Sequence, residues 1–191
     1  IDSPLAIKLT AVYQKYSEDQ LYFNPEAMKL VKSGDAIFNF PGLRMTLSTE
    51  QSKEINDMPP PKIIIAGAGM SNGGRILHHE MRYLSDPKST LLIVGYQAQG
   101  SLGRRILEGA KLVKIFGEEI PVNCKVRQVS GYSAHADQPQ LLKWVEKMRA
   151  NVKKVYVVQG DAGSAETLAQ KIQDELVVKT EVPKYGETVV L

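Results

Sequence analysis

The stretch of this chain best suited to hold an anion is Gly67-Ala68-Gly69-Met70-Ser71-Asn72-Gly73-Gly74, where four glycines fall within eight residues. Glycine permits left-handed backbone and close approach of amides at little steric cost. The apolar run Ile63, Ile64, Ile65, Ala66 ahead of it predicts a strand covered on both faces, and hence a parallel sheet. Ile76, Leu77, Met81 and Leu84 behind it have the spacing of a helix over 75–84. A helix entered through such a turn offers unpaired N–H groups and the positive end of its dipole, and Ser71, Asn72 and Arg75 are placed to add hydrogen bonds and charge. That combination suits phosphate. It is neither a dinucleotide fingerprint, since Asn72 stands where the third glycine belongs and no ribose-binding acid follows the next strand, nor a P-loop, since no Gly-Lys-Ser/Thr occurs. The competing reading is a tight turn that merely packs a strand on a helix.

Metal chemistry has little to work with. Of the three histidines, His78 and His79 are adjacent on the predicted helix and point about 100° apart, so together they cannot chelate one ion. They are expected to be a surface or interface pair near the turn. His135 stands in the segment Ser133-Ala134-His135-Ala136-Asp137, between a predicted strand and a predicted helix.

The elements that must position these residues follow from periodicity and punctuation. Residues 4–16 read as a helix with Pro4 in its first turn and apolar Leu5, Leu9, Val12 and Tyr13. Asn24-Pro25 opens a second helix reaching Lys32 and stopped by Gly34. A short strand is expected over 43–47, then a capping box at Ser48 and Gln51, then a rigid connector at Pro59-Pro60-Pro61. After the glycine turn come a strand at 91–94 and a second glycine turn, residues 95–103, opening a helix near Arg104. Alternating strands and helices predict an α/β fold, a mostly parallel open sheet flanked by helices, with both turns on one edge. Beyond residue 111 the texture changes: residues 113–116 and 120–129 alternate as half-exposed antiparallel strands would, with 117–119 as their turn. A domain boundary is placed there, giving 1–116 and 117–191. A helix at 138–148, a strand at 155–158, a helix at 164–176 and an edge strand within 179–191 complete the expectation.

Composition bounds the rest. At 191 residues, 43% hydrophobic and 24% charged, the chain has the make-up of globular material with apolar content for one core or two small ones. Its net charge of +3 is too small to argue for nucleic acid, so any basic footprint must be local. No apolar run approaches a membrane span, and the single cysteine, Cys124, fits a reducing, cytoplasmic setting. The opening Ile1-Asp2-Ser3-Pro4 has no initiator Met and reads as the end of a strand entering a helix, so a fragment of a longer chain is expected.

Three ordered motifs carry a resemblance. The segment 133–137, the turn running into Gly73-Gly74-Arg75-Ile76-Leu77-His78-His79, and Gly95-Tyr96-Gln97 followed by Gly100-Ser101-Leu102-Gly103-Arg104 together resemble the β-CASP family of metallo-β-lactamase-fold RNA-processing nucleases. Asp2-Ser3-Pro4-Leu5-Ala6 and Phe40-Pro41-Gly42-Leu43 agree with it. The resemblance implies that residues 1–116 are most of the RNA-clamping insert, and that 117–191 are the C-terminal part of the metallo-β-lactamase-like domain. It implies hydrolysis of RNA phosphodiesters with two zinc ions, His135 as the catalytic-site histidine that contacts the scissile phosphate and assists leaving-group protonation, Ser133 as a phosphate contact, and Asp137 as a group orienting the ring. Gly69, Ser71, Asn72, Gly73, Gly74, Arg75 and Arg104 would bind the substrate backbone.

Two departures qualify it. The family's His-x-His-x-Asp-His motif is nowhere in these residues, and Gln159-Gly160-Asp161 stands where the family has His-Gly-Glu, so an amide replaces a zinc ligand. The expectation is a fragment that binds single-stranded RNA through its phosphates, needs the missing N-terminal half of the same chain, binds no zinc alone and hydrolyses nothing alone. The alternative is a non-catalytic RNA-binding or scaffolding paralogue, and a third option is a nucleotide-binding α/β module. Nothing suggests a membrane partner.

Overall fold

The computed structural model describes residues 1–17, 19, 21–33 and 37–189. It is mixed α/β with parallel strand pairs, and it divides into two compact units, Ile1–Val129 and Ser130–Leu191. The compact units divide at 129/130, so the strands between 117 and 129, which the expected division assigns to the second domain, lie in the first unit.

The first unit opens with α1 (Pro4–Tyr16), whose N-cap Ser3 accepts from the Ala6 amide, and α2 (Pro25–Lys32), capped by Asn24. Gly34, the expected stop of α2, lies outside the described residues. On α1 only Ile7 is buried, and the stripe of Leu5, Leu9, Val12 and Tyr13 that marks the helix in the sequence lies exposed. No strand forms over 43–47. α3 (Thr49–Glu54) starts at the expected capping box, with Ser48 and Gln51 each satisfying the other's amide, and a 3-10 turn, Ile55–Asp57, follows.

The buried strand expected at 63–66 is absent. Asp2 pairs with Ala66 in a single parallel bridge, and Ile63 and Ile65 are 91% and 54% exposed. A strand is buried on both faces only when neighbours flank it and layers cover it; among the described residues one bridge is all this segment has. α4 (Ile76–Tyr83) leaves the glycine turn, and β1 (Thr90–Val94) pairs in parallel with β4 (Lys125–Val129). The antiparallel reading of 120–129 is therefore corrected: it splits into β3 (Glu118–Pro121), antiparallel to β2 (Leu112–Ile115), and β4, parallel to β1. Alternation along a strand reports which face is wet, not which way its neighbour runs. Leu84 and Ile106, the latter on α5 (Leu102–Leu107), meet Val113, Ile115 and Ile120 in the core of this unit.

The β2–β3 turn is tighter than expected. Ile115 pairs with Glu118, so Phe116 and Gly117 alone form it, both with positive φ (+50° and +89°). This is the signature of the two-residue turn that favours Asn or Gly at its first position. A phenylalanine there costs about 1–3 kcal/mol of backbone strain.

In the second unit, α6 (Gln138–Glu146) and α7 (Ala162–Leu176) pack together with β5 (Val155–Tyr156) and β6 (Thr180–Glu181), a short parallel pair. Val145, Val157, Ala169, Ile172 and Leu176 form its core. Val158, expected in the buried strand, is 62% exposed, because the ladder ends at Tyr156. Of the expected terminal strand, residues 190 and 191 lie outside the described residues. No helix among the described residues is long and apolar enough to cross a membrane.

Candidate functional site

A buried carboxylate organises the first unit. Asp2 is inaccessible to solvent and accepts four side-chain hydrogen bonds: from Thr46 Oγ1 (2.6 Å) and Arg75 Nη1 (2.7 Å) on Oδ1, and from Ser52 Oγ (2.7 Å) and His79 Nε2 (2.7 Å) on Oδ2. Burial opposes its ionisation, but the bonds from Thr46, His79, Ser52 and Arg75 outweigh it and hold the carboxyl well below the usual range. His78 and His79 are thus not the surface or interface pair expected: His79 is buried against Asp2, whereas His78 beside it is exposed. The remaining donors of Arg75 reach the carbonyls of Thr46 (2.8 Å) and Leu47 (3.0 Å). Its guanidinium serves this network and fixes the chain where the glycine turn enters α4.

The two glycine turns lie against each other. Gly103 N donates to Met70 O (3.1 Å), Leu102 N to Asn72 Oδ1 (3.2 Å), and Gln97 Nε2 to Gly69 O (2.7 Å). A Cβ on Gly74 (φ +73°) would sit 2.7 Å from the main-chain Gly67 O, so the close approach needs glycine there, while one on Gly103 would meet the side-chain amide of Gln97, which would have to shift. Much of the anion-binding capacity expected of the helix starts is used internally. Ile76 N donates to Gly67 O and His78 N to Arg75 O in α4, while Ser101 Oγ accepts from Arg104 N in α5. Among the described residues, no hydrogen bond engages the amides of Asn72, Gly73 and Gly74. Arg104 donates to Glu108 Oε1 (2.6 Å) and Gln97 O (3.4 Å).

Ser71, expected to face an anion, is buried in left-handed conformation (φ +54°), and its hydroxyl donates to Glu80 Oε1 at 2.5 Å. Burial pushes the Glu80 carboxyl up, against the pull of that bond, and Oε2 has no partner among the described residues. With its folded-state pKa raised, the native protein holds this proton more tightly than the unfolded chain does. Stability is therefore lost as pH rises from the ordinary Glu range, near 4.3, through the folded value. Glu80→Gln removes this dependence, so its unfolding midpoint in urea should improve relative to wild type between pH 4 and pH 8. A constant difference across that range would show that Glu80 is not protonated on folding.

In the second unit, the loop 133–137 is ordered locally. Ser133 Oγ accepts from His135 N (3.2 Å), and Asp137 is the N-cap of α6 in a capping box with Gln140, both bonds 2.9 Å. Asp137 Oδ1 therefore caps the helix, and no hydrogen bond of the His135 imidazole is found among the described residues. The signal for the cap was legible: Asp-x-x-Gln has the same form as the box at Ser48. Both Ser133 and His135 are exposed.

The donor set does not fit zinc. Among the described residues no group of three or more His, Cys, Asp or Glu is placed to hold a metal, and Gln159 is exposed with a left-handed backbone (φ +63°) and only an amide to offer.

Comparison with known proteins gives two family matches: a Beta-Casp domain over residues 1–106, and a Zn-dependent metallo-hydrolase RNA specificity domain over residues 119–183. The chain is similar to Ribonuclease TTHA0252 of Thermus thermophilus, 40% identical over 146 residues, covering 76% of this chain and 33% of that protein. It is similar to Transcription termination factor FttA of Methanosarcina mazei, 32% identical over 186 residues, covering 94% and 29%. An RNase J-like protein of Methanocaldococcus jannaschii is 33% identical over 180 residues, covering 94% and 40%. The chain thus spans between about three tenths and two fifths of the length of these curated relatives.

Proposed function

The chain belongs to the β-CASP family of metallo-β-lactamase-fold proteins, and from that membership we propose that it is the RNA-clamping part of a ribonuclease that cuts RNA phosphodiester bonds. The observation that carries this reading is the match of the RNA specificity domain over the stretch holding Ser133 and His135, in a chain whose first unit keeps the amides of Asn72, Gly73 and Gly74 unengaged. Those amides, with Arg104 at the second turn, contact phosphate oxygens and set the register of the strand without reading its bases. Ser133 O–H binds the scissile phosphate, its oxygen already steadied by His135 N–H. The imidazole of His135 gives a proton to the departing ribose oxygen.

Zinc is given no step here, since among the described residues no donor set fits it. In this proposal the ion is bound by other parts of the full-length protein, which supply the attacking water. The chain alone then binds RNA and leaves it intact.

Titrating the chain into fluorescein-labelled single-stranded RNA tests the reading by anisotropy. Affinity should fall with added salt, with a log–log slope of about 0.7 per phosphate engaged, and labelled RNA should stay whole with zinc present. No binding at low salt would overturn the RNA reading; cleavage by the chain alone would overturn the division of labour. Gln159 favours a second reading, a non-catalytic RNA-binding paralogue. Zinc content of the full-length protein separates the two.

A further inference from the structure

Phe116 is a poor choice for its backbone and a poor choice for packing. Its φ of +50° is an outlier for a bulky residue, and Asn or Gly would fit the turn without strain. The ring buries little in return, being 59% exposed. What it does is meet a second ring: its centroid lies 4.9 Å from that of His78, with the ring planes tilted by 31°. His78 is itself exposed on α4, and Arg82, one helical turn further along the same face, is exposed too. Lys114, on the outer face of β2, is set against Glu119 in the ladder.

We propose that Phe116 and His78 form a stacking platform for one unpaired base of single-stranded RNA, with Arg82 contacting a flanking phosphate. The proposal rests on the RNA reading above and adds to it a base-binding site that none of the glycine turns provides. An aromatic face open on one side with a cation beside it is the arrangement that binds single-stranded nucleic acid with little sequence preference. It accounts for a strained aromatic where a turn residue would be more stable, since the ring is held out at the hairpin tip for use by a ligand.

The test uses the 191-residue chain with a short fluorescein-labelled oligoadenylate and its abasic counterpart. Phe116→Gly, which suits the left-handed turn, should weaken oligoadenylate binding about fivefold or more while leaving the urea midpoint unchanged or higher. The weakening should vanish with the abasic strand. Phe116→Trp should keep the affinity and gain an emission that is quenched as RNA is added. Equal affinity for wild type and Phe116→Gly overturns the platform, as does a lowered urea midpoint with unchanged affinity, the mark of a packing role alone. If the wild-type chain binds no RNA at all, the RNA reading fails first and the platform with it.

Discussion

Replacing Asp2 by alanine should lower the stability of the first unit by about 3 kcal/mol, the low end of the range for breaking a buried charged pair. The substitution removes an acceptor shared by four donors, of which Thr46 Oγ1 keeps Ile1 O and Arg75 Nη1 keeps Thr46 O. Thr46 Oγ1, Ser52 Oγ, Arg75 Nη1 and His79 Nε2 all lose their shared acceptor, and the first and last belong to buried residues. The guanidinium of Arg75, partly open to water and still bonded to two carbonyls, recovers some of its loss, which is why the low end applies. His78→Ala, one position from the network and on the surface, is the control. Urea unfolding measures both, and an unshifted midpoint for Asp2→Ala would mean that the carboxylate does not hold the unit together. The pH dependence has a definite sign. A carboxyl whose folded-state pKa is depressed contributes stability that is complete above its ordinary value, near 3.9, and is lost as pH falls from there toward the folded value. Asp2→Asn should flatten acid unfolding in that window, opposite in sense to the effect of Glu80→Gln at higher pH.

Gly74→Ala should cost about 2–4 kcal/mol, from a left-handed φ that alanine resists and a contact that cannot relax cheaply. The added Cβ would lie 2.7 Å from Gly67 O and 3.1 Å from Ala68 N, both main-chain atoms. Gly67 O also accepts from Ile76 N at the start of α4, so relief by moving that carbonyl loosens the helix. Gly73→Ala is the contrast: nothing lies within 4 Å of its Cβ position and its φ is not left-handed, so its effect should stay within about 0.5 kcal/mol. Because Gly74 carries one of the unengaged amides, its substitution should also weaken RNA binding measurably, at salt where wild type binds. Similar urea midpoints for the two alanine variants would remove the claim that this turn requires glycine at one position and tolerates a side chain at the next.

The parts of this protein that sequence makes legible are those set by neighbours in the chain. Ser3, Asn24, Ser48 and Ser101 cap their helices because a short side-chain oxygen three residues ahead of an amide is a local arrangement. The two glycine turns are readable for the same reason. What escaped were pairings across distance. Nothing in the periodicity around His79 says that it faces Asp2, 77 residues away, rather than solvent. Nothing in the alternation of 125–129 says that its neighbour runs parallel. Arg75 reads as a phosphate contact because it follows a glycine turn that could cradle an anion; its carboxylate partner Asp2, 73 residues away, is invisible from position 75. Asp137 is legible in part: its capping box with Gln140 follows from local spacing and occupies Oδ1, while the role the resemblance implies for it depends on a ligand.

The four hydrogen bonds on Asp2 span 44, 50, 73 and 77 residues of chain. Closing a loop of 77 rather than 44 residues differs by less than about 0.6 kcal/mol of chain entropy, so no one of these contacts is much easier to make first. All four contacts are non-local, and the entropy of closing their loops is spent before they form. A carboxylate near the start of the described chain waits on partners drawn from the next three quarters of a hundred residues. During synthesis, that assembly closes only after α4 has left the ribosome.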